Sequence, residues 1–323
     1  MKILVTGGRG QLGQAIMNSS HINEHEFIFS ARPTDAAKTD ARPDDHPTGY
    51  YPLDITDPIA VEKIVTNENV ELIINCAGYT DVPKAETESE KAHQINAEAV
   101  ANLAKAAKEN NAVLVHISTD YIFDGNATTP YKETDEARPI SEYGKSKLAG
   151  EEAIINVGCK YLIFRTSWLF SRYGKNFVKT IIRKAETIRQ SKDASQTINV
   201  VSDQIGTPTY APDLIDAIFM IINEGHLQKD HNQGIYNFSN EGQCSWYEFA
   251  AEICRIRTSS TDDGNSDSQV KVIPCSTADY PSNVRRPAYS VLDKTKFKET
   301  FRQAIPHWKE SLYKCLKGIE KFG

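Results

Sequence analysis

Nowhere does the sequence hold an uninterrupted apolar run of about 18 residues, so no membrane-spanning helix is expected. No leader is expected either. Met1-Lys2 passes directly into Ile3-Leu4-Val5 and a glycine turn, with no apolar stretch of signal-peptide length, so a cytoplasmic chain whose first strand begins at residue 2 is expected. None of the 6 cysteines stands in a C-x-x-C pair and none of the 8 histidines in an H-E-x-x-H cluster. Reduced, mostly buried thiols and no catalytic metal follow. Excess positive charge is also lacking. A net charge of −6 leaves no basic footprint for nucleic acid, while a locally positive pocket can still take an anionic small molecule.

What is present is ordinary globular composition, 40% hydrophobic and 25% charged over 323 residues. That suffices for one large domain or two intimate ones. Runs rich in Ile, Val, Leu and Phe at 2–6, 26–30, 51–55, 71–76 and 112–118 read as strands. Helical patterns fall between them. One spans 11–18; another opens at Asp57-Pro58, with Asp as N-cap and Pro in the first turn, and runs to 67. A long alanine-rich helix is expected over 92–109. This alternation predicts a Rossmann-like α/β fold, a doubly wound parallel sheet covered on both faces.

Later elements are less regular: strands at 160–170, 197–201, 234–239 and 270–274, helices at 176–185, 212–222 and 245–257, and a helical region over 294–317. They suit a smaller C-terminal α/β substrate-binding domain. The expected division is a dinucleotide-binding domain over 1–170, rejoined by parts of 197–240, and a substrate-binding domain over 171–323. Segment 33–49, with three prolines, and the Ser/Thr/Asp-rich 258–269 read as surface loops.

Directly after the first strand, Gly7, Gly10 and Gly13 give the spacing G-x-x-G-x-x-G and open a helix. Glycines there allow a tight turn, backbone approach to a pyrophosphate, and close helix–strand packing, with helix N–H groups facing the phosphates. An NAD site would carry Asp or Glu at the end of the second strand for the ribose 2′-hydroxyl. Here Phe27-Ile28-Phe29-Ser30-Ala31-Arg32 offers no carboxylate, and Arg9 lies inside the glycine loop. Two guanidiniums suit a 2′-phosphate. NADP(H) is therefore the expected cofactor, with NAD(H) as the alternative.

Tyr143 and Lys147 stand four residues apart on an expected helix, so both project from one face. A neighbouring ammonium favours the phenolate and is expected to draw Tyr143 toward useful acidity. Ser118-Thr119-Asp120 ends the fifth strand at the carboxyl edge, where ligands of such sheets bind.

With these motifs in this order, the chain resembles the extended short-chain dehydrogenases/reductases, and among them the dTDP-4-dehydrorhamnose reductases, over essentially its whole length. The likeness is carried by residues 6–13, 53–55, 75–80, 118–124, 143–151, 165–168, 174–177 and 203–209, and by Arg285-Arg286-Pro287. It implies that Gly10, Gln11 and Leu12 wrap the pyrophosphate, that Asp54 and Ile55 meet adenine, and that Ala77, Gly78, Tyr79 and Thr80 line the cofactor near its ribose. It further implies that Thr119, Tyr143 and Lys147 form the catalytic set, Lys147 holding the nicotinamide ribose, and that Asp120 and Trp168 meet the sugar nucleotide. Magnesium is used by some members, but their acidic residues have no convincing counterpart here.

The expected reaction is NADPH-dependent reduction of the C4 ketone of a nucleotide-linked 4-keto-6-deoxysugar, with Arg285 and Arg286 as candidate cationic partners of the substrate pyrophosphate and Asn176 as a candidate hydrogen-bond donor to it. The substrate dTDP-4-dehydro-β-L-rhamnose is the first expectation, in a monomer or homodimer with neither nucleic-acid nor membrane partner. Two alternatives stay open. A sugar-nucleotide epimerase shares the Tyr–Lys pair, whereas a dehydratase resembling this chain has glutamate after the Thr-Asp pair, where Tyr121 stands. The chain also resembles a non-enzymatic NADP-binding regulatory subunit of methionine adenosyltransferase.

Overall fold

The computed structural model describes residues 1–36, 49–190, 197–259, 270–280 and 284–320. Strand β1 (Lys2–Thr6) buries Ile3, Leu4 and Val5 completely, each worth roughly 1.5–3 kcal/mol over an exposed position. Such a strand can only lie in the middle of a sheet. It is followed by α1 (Gln11–Met17), β2 (Glu26–Ala31), the single turn α2 (Pro33–Ala36) and β3 (Tyr51–Pro52). Next come α3 (Pro58–Asn67), β4 (Leu72–Asn75), the short α4 (Val82–Ala85) and α5 (Ser89–His93), α6 (Ala99–Glu109), β5 (Val113–Thr119), α7 (Glu142–Val157) and β6 (Lys160–Thr166).

These strands form a parallel sheet in the order β3-β2-β1-β4-β5-β6, completed beside β6 by β11 (Gly234–Asn237), after β7 (Leu169–Phe170), α8 (Phe177–Gln190), β8 (Thr197–Val201), β9 (Ile205–Gly206), β10 (Thr209–Tyr210) and α9 (Ala211–Asn223). The order reverses between β1 and β4, a switch point that opens a crevice at the carboxyl ends of these two strands. One face of the sheet packs on α1 and α9, the other on α3, α6 and α7. The remaining elements are β12 (Cys244–Ser245), α10 (Trp246–Ser259), β13 (Lys271–Cys275), α11 (Thr295–Phe301) and α12 (Trp308–Glu320). Helices α8, α10 and α12 enclose a second core around Phe249 and Trp308, beside the parallel β8–β13 pair.

Four expectations are corrected. The strand expected over 51–55 shrinks to Tyr51–Pro52 at the sheet edge, where a proline without an N–H is tolerated. The helix expected over 92–109 is α5 and α6 joined by a π turn over Gln94–Glu98. The strand expected over 160–170 stops at Thr166. Trp168 adopts φ +47°, and β7 pairs with β10 in a separate sheet. The helical region 294–317 is two helices, because Arg302 takes a left-handed conformation. Of the expected loop 33–49, the first residues form α2; residues 37–48 and 260–269 lie outside the described residues.

Candidate active site

At the switch point, Gly7 has φ +66°, and a Cβ there would sit 2.7 Å from the Ala77 nitrogen. Only glycine lets the two loops approach so closely. A Cβ on Gly13 would lie 2.5 Å from the Gly8 Cα, so α1 could not seat on the loop. Gly10 caps α1 without any side-chain hydrogen bond, leaving first-turn N–H groups for an anion. A dinucleotide fits this cradle.

The adjoining groove gathers Gly7, Arg9, Gly10, Arg32, Asp54, Ile55, Ala77, Gly78, Tyr79 and Thr80. The Arg9 guanidinium lies 4.8 Å from the Tyr50 ring centroid. Arg32 is exposed, and Asp35 holds its Nη2 at 2.8 Å. Leu12 is buried in the core under the cradle. Gln11 turns away from the groove: its Oε1 accepts from Ser171 Oγ at 3.0 Å and from Asn176 Nδ2 at 2.9 Å. The Asn176 amide also donates to the Ser171 and Tyr173 carbonyls. It ties the segment before α8 to the glycine loop, and its donors are spent there rather than aimed at a substrate.

The π turn has a local purpose. It aims Asn96, wholly buried, at the 77–80 turn: Oδ1 accepts from Tyr79 N at 2.8 Å, and Nδ2 donates to Tyr79 O at 3.0 Å and to Ser146 Oγ at 2.9 Å. One wide turn thus fastens the groove wall to α7, in line with the frequent use of such bulges at functional sites.

Helix α7 starts at the Ser141 cap, whose Oγ accepts from Gly144 N at 3.1 Å. Tyr143 sits in its first turn, with its phenol in hydrogen-bond contact with the Thr119 hydroxyl and its ring edge-on to Tyr121 at 5.6 Å. Burial pushes the phenol above its ordinary range. The expected gain in Tyr143 acidity from Lys147 is corrected here, because desolvation of the phenolate outweighs other influences. Lys147 is itself buried, and burial brings it down to about 8. Its Nζ donates to Ile117 O at 2.7 Å and lies 3.1 Å from His116 Nε2. Asp120, also buried, is pushed up to about 6 by desolvation, against the opposing hydrogen bonds of Ser290 and Thr119. Its Oδ2 has no hydrogen-bond partner among the described residues.

A second cavity opens between α8, β8 and the start of α10. Phe177, Lys184, Gln204, Trp246, Tyr280 and Arg286 line it. Arg286 hydrogen-bonds the Tyr121 phenol, whose burial pushes it up to about 12, so the cavity leads toward Tyr143. Arg285 is exposed. Trp168 backs this cavity rather than lining it: its ring stacks on Trp246 at 3.5 Å and packs on Gly206. Trp246 was missed at the sequence level. Its signal was being one of only 3 tryptophans, at the head of an amphipathic helix. Among the described residues no cluster of three or more His, Cys, Asp and Glu could hold a metal ion, and no helix is long and apolar enough to cross a membrane.

A glycine-cradled switch point facing a tyrosine–lysine helix defines an extended short-chain dehydrogenase/reductase. The family model described as RmlD substrate binding domain matches residues 1–321. A dTDP-4-dehydrorhamnose reductase from Aggregatibacter actinomycetemcomitans is 35% identical over 315 residues, covering 96% of this chain and 97% of its own. Two solved structures are also similar. The dTDP-4-dehydrorhamnose reductase of Clostridium acetobutylicum is 38% identical with a TM-score of 0.83, covering 99% of this chain and 100% of that one. That of Bacillus anthracis, in complex with NADP, is 33% identical with a TM-score of 0.80 over 98% and 99%. The chain belongs to the dTDP-4-dehydrorhamnose reductase family of NADP-dependent oxidoreductases.

Proposed function

We propose that this protein reduces the C4 carbonyl of dTDP-4-dehydro-β-L-rhamnose to give dTDP-β-L-rhamnose, using NADPH. The observation that carries the reading is the contact of Tyr143 with Thr119 at the carboxyl end of β5, between the dinucleotide groove and the second cavity. Bound NADPH supplies the hydride. Residues 1–170, with β11 and α9, hold the cofactor: Gly7 and Gly10 admit the pyrophosphate, and Arg9 and Arg32 flank the 2′-phosphate. Asp54 and Ile55 meet the adenine, Ala77 to Thr80 the ribose side, and Lys147 the nicotinamide ribose. Residues 171–323 take the nucleotide sugar, with Trp246 and Phe177 as an aromatic wall and Arg286 for the pyrophosphate.

Tyr143 donates its proton to the oxygen as charge develops there, and Thr119 hydrogen-bonds the same oxygen. A phenol held above its ordinary range stays protonated at working pH, which suits a donor. The open Oδ2 of Asp120 accepts a sugar hydroxyl; a buried acceptor left unpaired costs roughly 1–3 kcal/mol, and the substrate removes that cost. Tyr121 occupies the place where a dehydratase resembling this chain carries glutamate. We place the enzyme in the cytoplasm as a monomer or homodimer. The test is NADPH consumption with dTDP-, GDP- and UDP-linked 4-keto sugars. Stoichiometric loss with the dTDP substrate is expected; tight NADP binding without turnover of any sugar would refute the reading.

A further inference from the structure

His116 lies in the middle of β5, wholly buried, and the proposed reduction gives it no task. It joins Lys147 to the cofactor groove through a line of buried groups. The Thr6 hydroxyl donates to Asn75 Oδ1 at 2.6 Å, Asn75 Nδ2 is 2.9 Å from His116 Nδ1, and His116 Nε2 is 3.1 Å from Lys147 Nζ. The backbone N–H of Ala77, which lines the dinucleotide groove, also donates to Asn75 Oδ1, at 3.2 Å. Two donors on one oxygen fix the orientation of the Asn75 amide, so its NH2 must point at His116.

Donor logic then propagates along the line. An NH2 aimed at Nδ1 requires a lone pair there, so a neutral imidazole carries its proton on Nε2. That N–H faces Lys147, and a donor 3.1 Å from the lysine nitrogen is a hydrogen bond only when the lysine is an amine with a lone pair. An ammonium would demand the other tautomer. The Asn75 amide would then have to turn over, leaving the Ala77 N–H to the Thr6 hydroxyl alone, at 3.4 Å. Burial keeps His116 neutral, well below its usual range, and lowers Lys147 in the same sense. Glu151, on the same helix, acts in the opposite direction on Lys147 but is itself paired with Arg165 of β6. Tyr143, one turn earlier, is held protonated by burial.

We propose that His116 is a positioning residue: with its tautomer set by Asn75, it favours the amine form of Lys147 in the free enzyme and ties the charge on Lys147 to the turn that lines the dinucleotide groove. The proposal rests on the reading that Lys147 serves the nicotinamide ribose. Charging Lys147 takes one proton from solvent, while the imidazole moves its own proton from Nε2 to Nδ1 and stays neutral. His116 is therefore not a relay, since no donor at Nδ1 could refill it.

The test is nitrogen NMR of ring-labelled histidine in the free protein, together with the pH profile of kcat/KM. His116 is expected as a neutral Nε2–H tautomer above about pH 8, where burial leaves Lys147 an amine, and as the Nδ1–H tautomer below it. Asn75→Asp places a pure acceptor at Nδ1, so it should invert the tautomer and move the alkaline limb of kcat/KM upward by about one pH unit. His116→Gln, which offers Lys147 an acceptor oxygen, should shift the limb in the same direction and covers the case in which Asn75→Asp fails to fold. An Nδ1–H tautomer in the unaltered protein above about pH 8, or a limb unmoved in both variants, would overturn the proposal. Full turnover by Tyr143→Phe would instead overturn the catalytic reading and leave the tautomer result standing.

Discussion

Glu151 lies one helical turn beyond Lys147 and clasps Arg165 of β6, with its Oε2 accepting from Nη2 at 2.7 Å and its Oε1 from Nε at 3.1 Å. Both side chains are almost fully buried, and Ser118 donates to the same carboxylate. The pair sets the position of α7 against the strand ends that carry Thr119. Removing one partner leaves a bare charge in the interior, at a cost of roughly 3–5 kcal/mol. Arg165→Met should lower the urea midpoint accordingly, while Glu151→Leu combined with Arg165→Met should recover much of the loss. A double variant no more stable than the single one would show that charge burial is not the reason.

Tyr143→Phe removes the proposed proton donor and keeps the ring edge on Tyr121. Turnover should fall roughly 10²–10⁴-fold. NADPH affinity, read by fluorescence titration, should barely change, because the phenol is not part of the groove that holds the dinucleotide.

Asp120 gives a stability signature whose sign follows from its surroundings. Its folded value, raised to about 6 from 3.8, means that the native state prefers the neutral acid. Stability therefore falls as pH rises between those two values and stays lowered above them. Asp120→Asn removes the penalty, and should stabilise the protein by on the order of 2–3 kcal/mol at neutral pH and by almost nothing near pH 4. Melting curves at both pH values decide it; an equal gain at each would rule out titration as the cause.

Arg286 faces the second cavity and hydrogen-bonds Tyr121. Arg286→Ala should raise KM for the sugar nucleotide more than KM for NADPH, by roughly 10-fold or more for a lost charged hydrogen bond. Equal effects on both constants would place the arginine outside the substrate site.

On the cofactor side, exposed Arg32 is held by half-buried Asp35, a weak pairing where one partner lies in water. A 2′-phosphate should displace it. Arg32→Ala is expected to raise KM for NADPH while leaving that for NADH nearly unchanged. Parallel rises would argue against a phosphate contact.

Much of the site was legible because its signals are local. The glycine spacing after β1, the i,i+4 relation of Tyr143 and Lys147, and the hydroxyls ending β5 depend only on neighbouring residues and on the periods of helix and strand. What the linear order could not contain was which buried groups meet across it. Lys147 finds His116 31 positions away, and Gln11 finds Asn176 165 positions away. The left-handed turn at Trp168, set against Trp246, diverts a strand that its apolar run would continue. The acidity of Tyr143 went the same way: a nearby ammonium argues for a more acidic phenol, but the depth of burial argues for a less acidic one and wins. Local sequence determined the elements and the chemical groups they carry. Tertiary packing alone decided their desolvation and their donor–acceptor partners, since both depend on every surface that closes around a group.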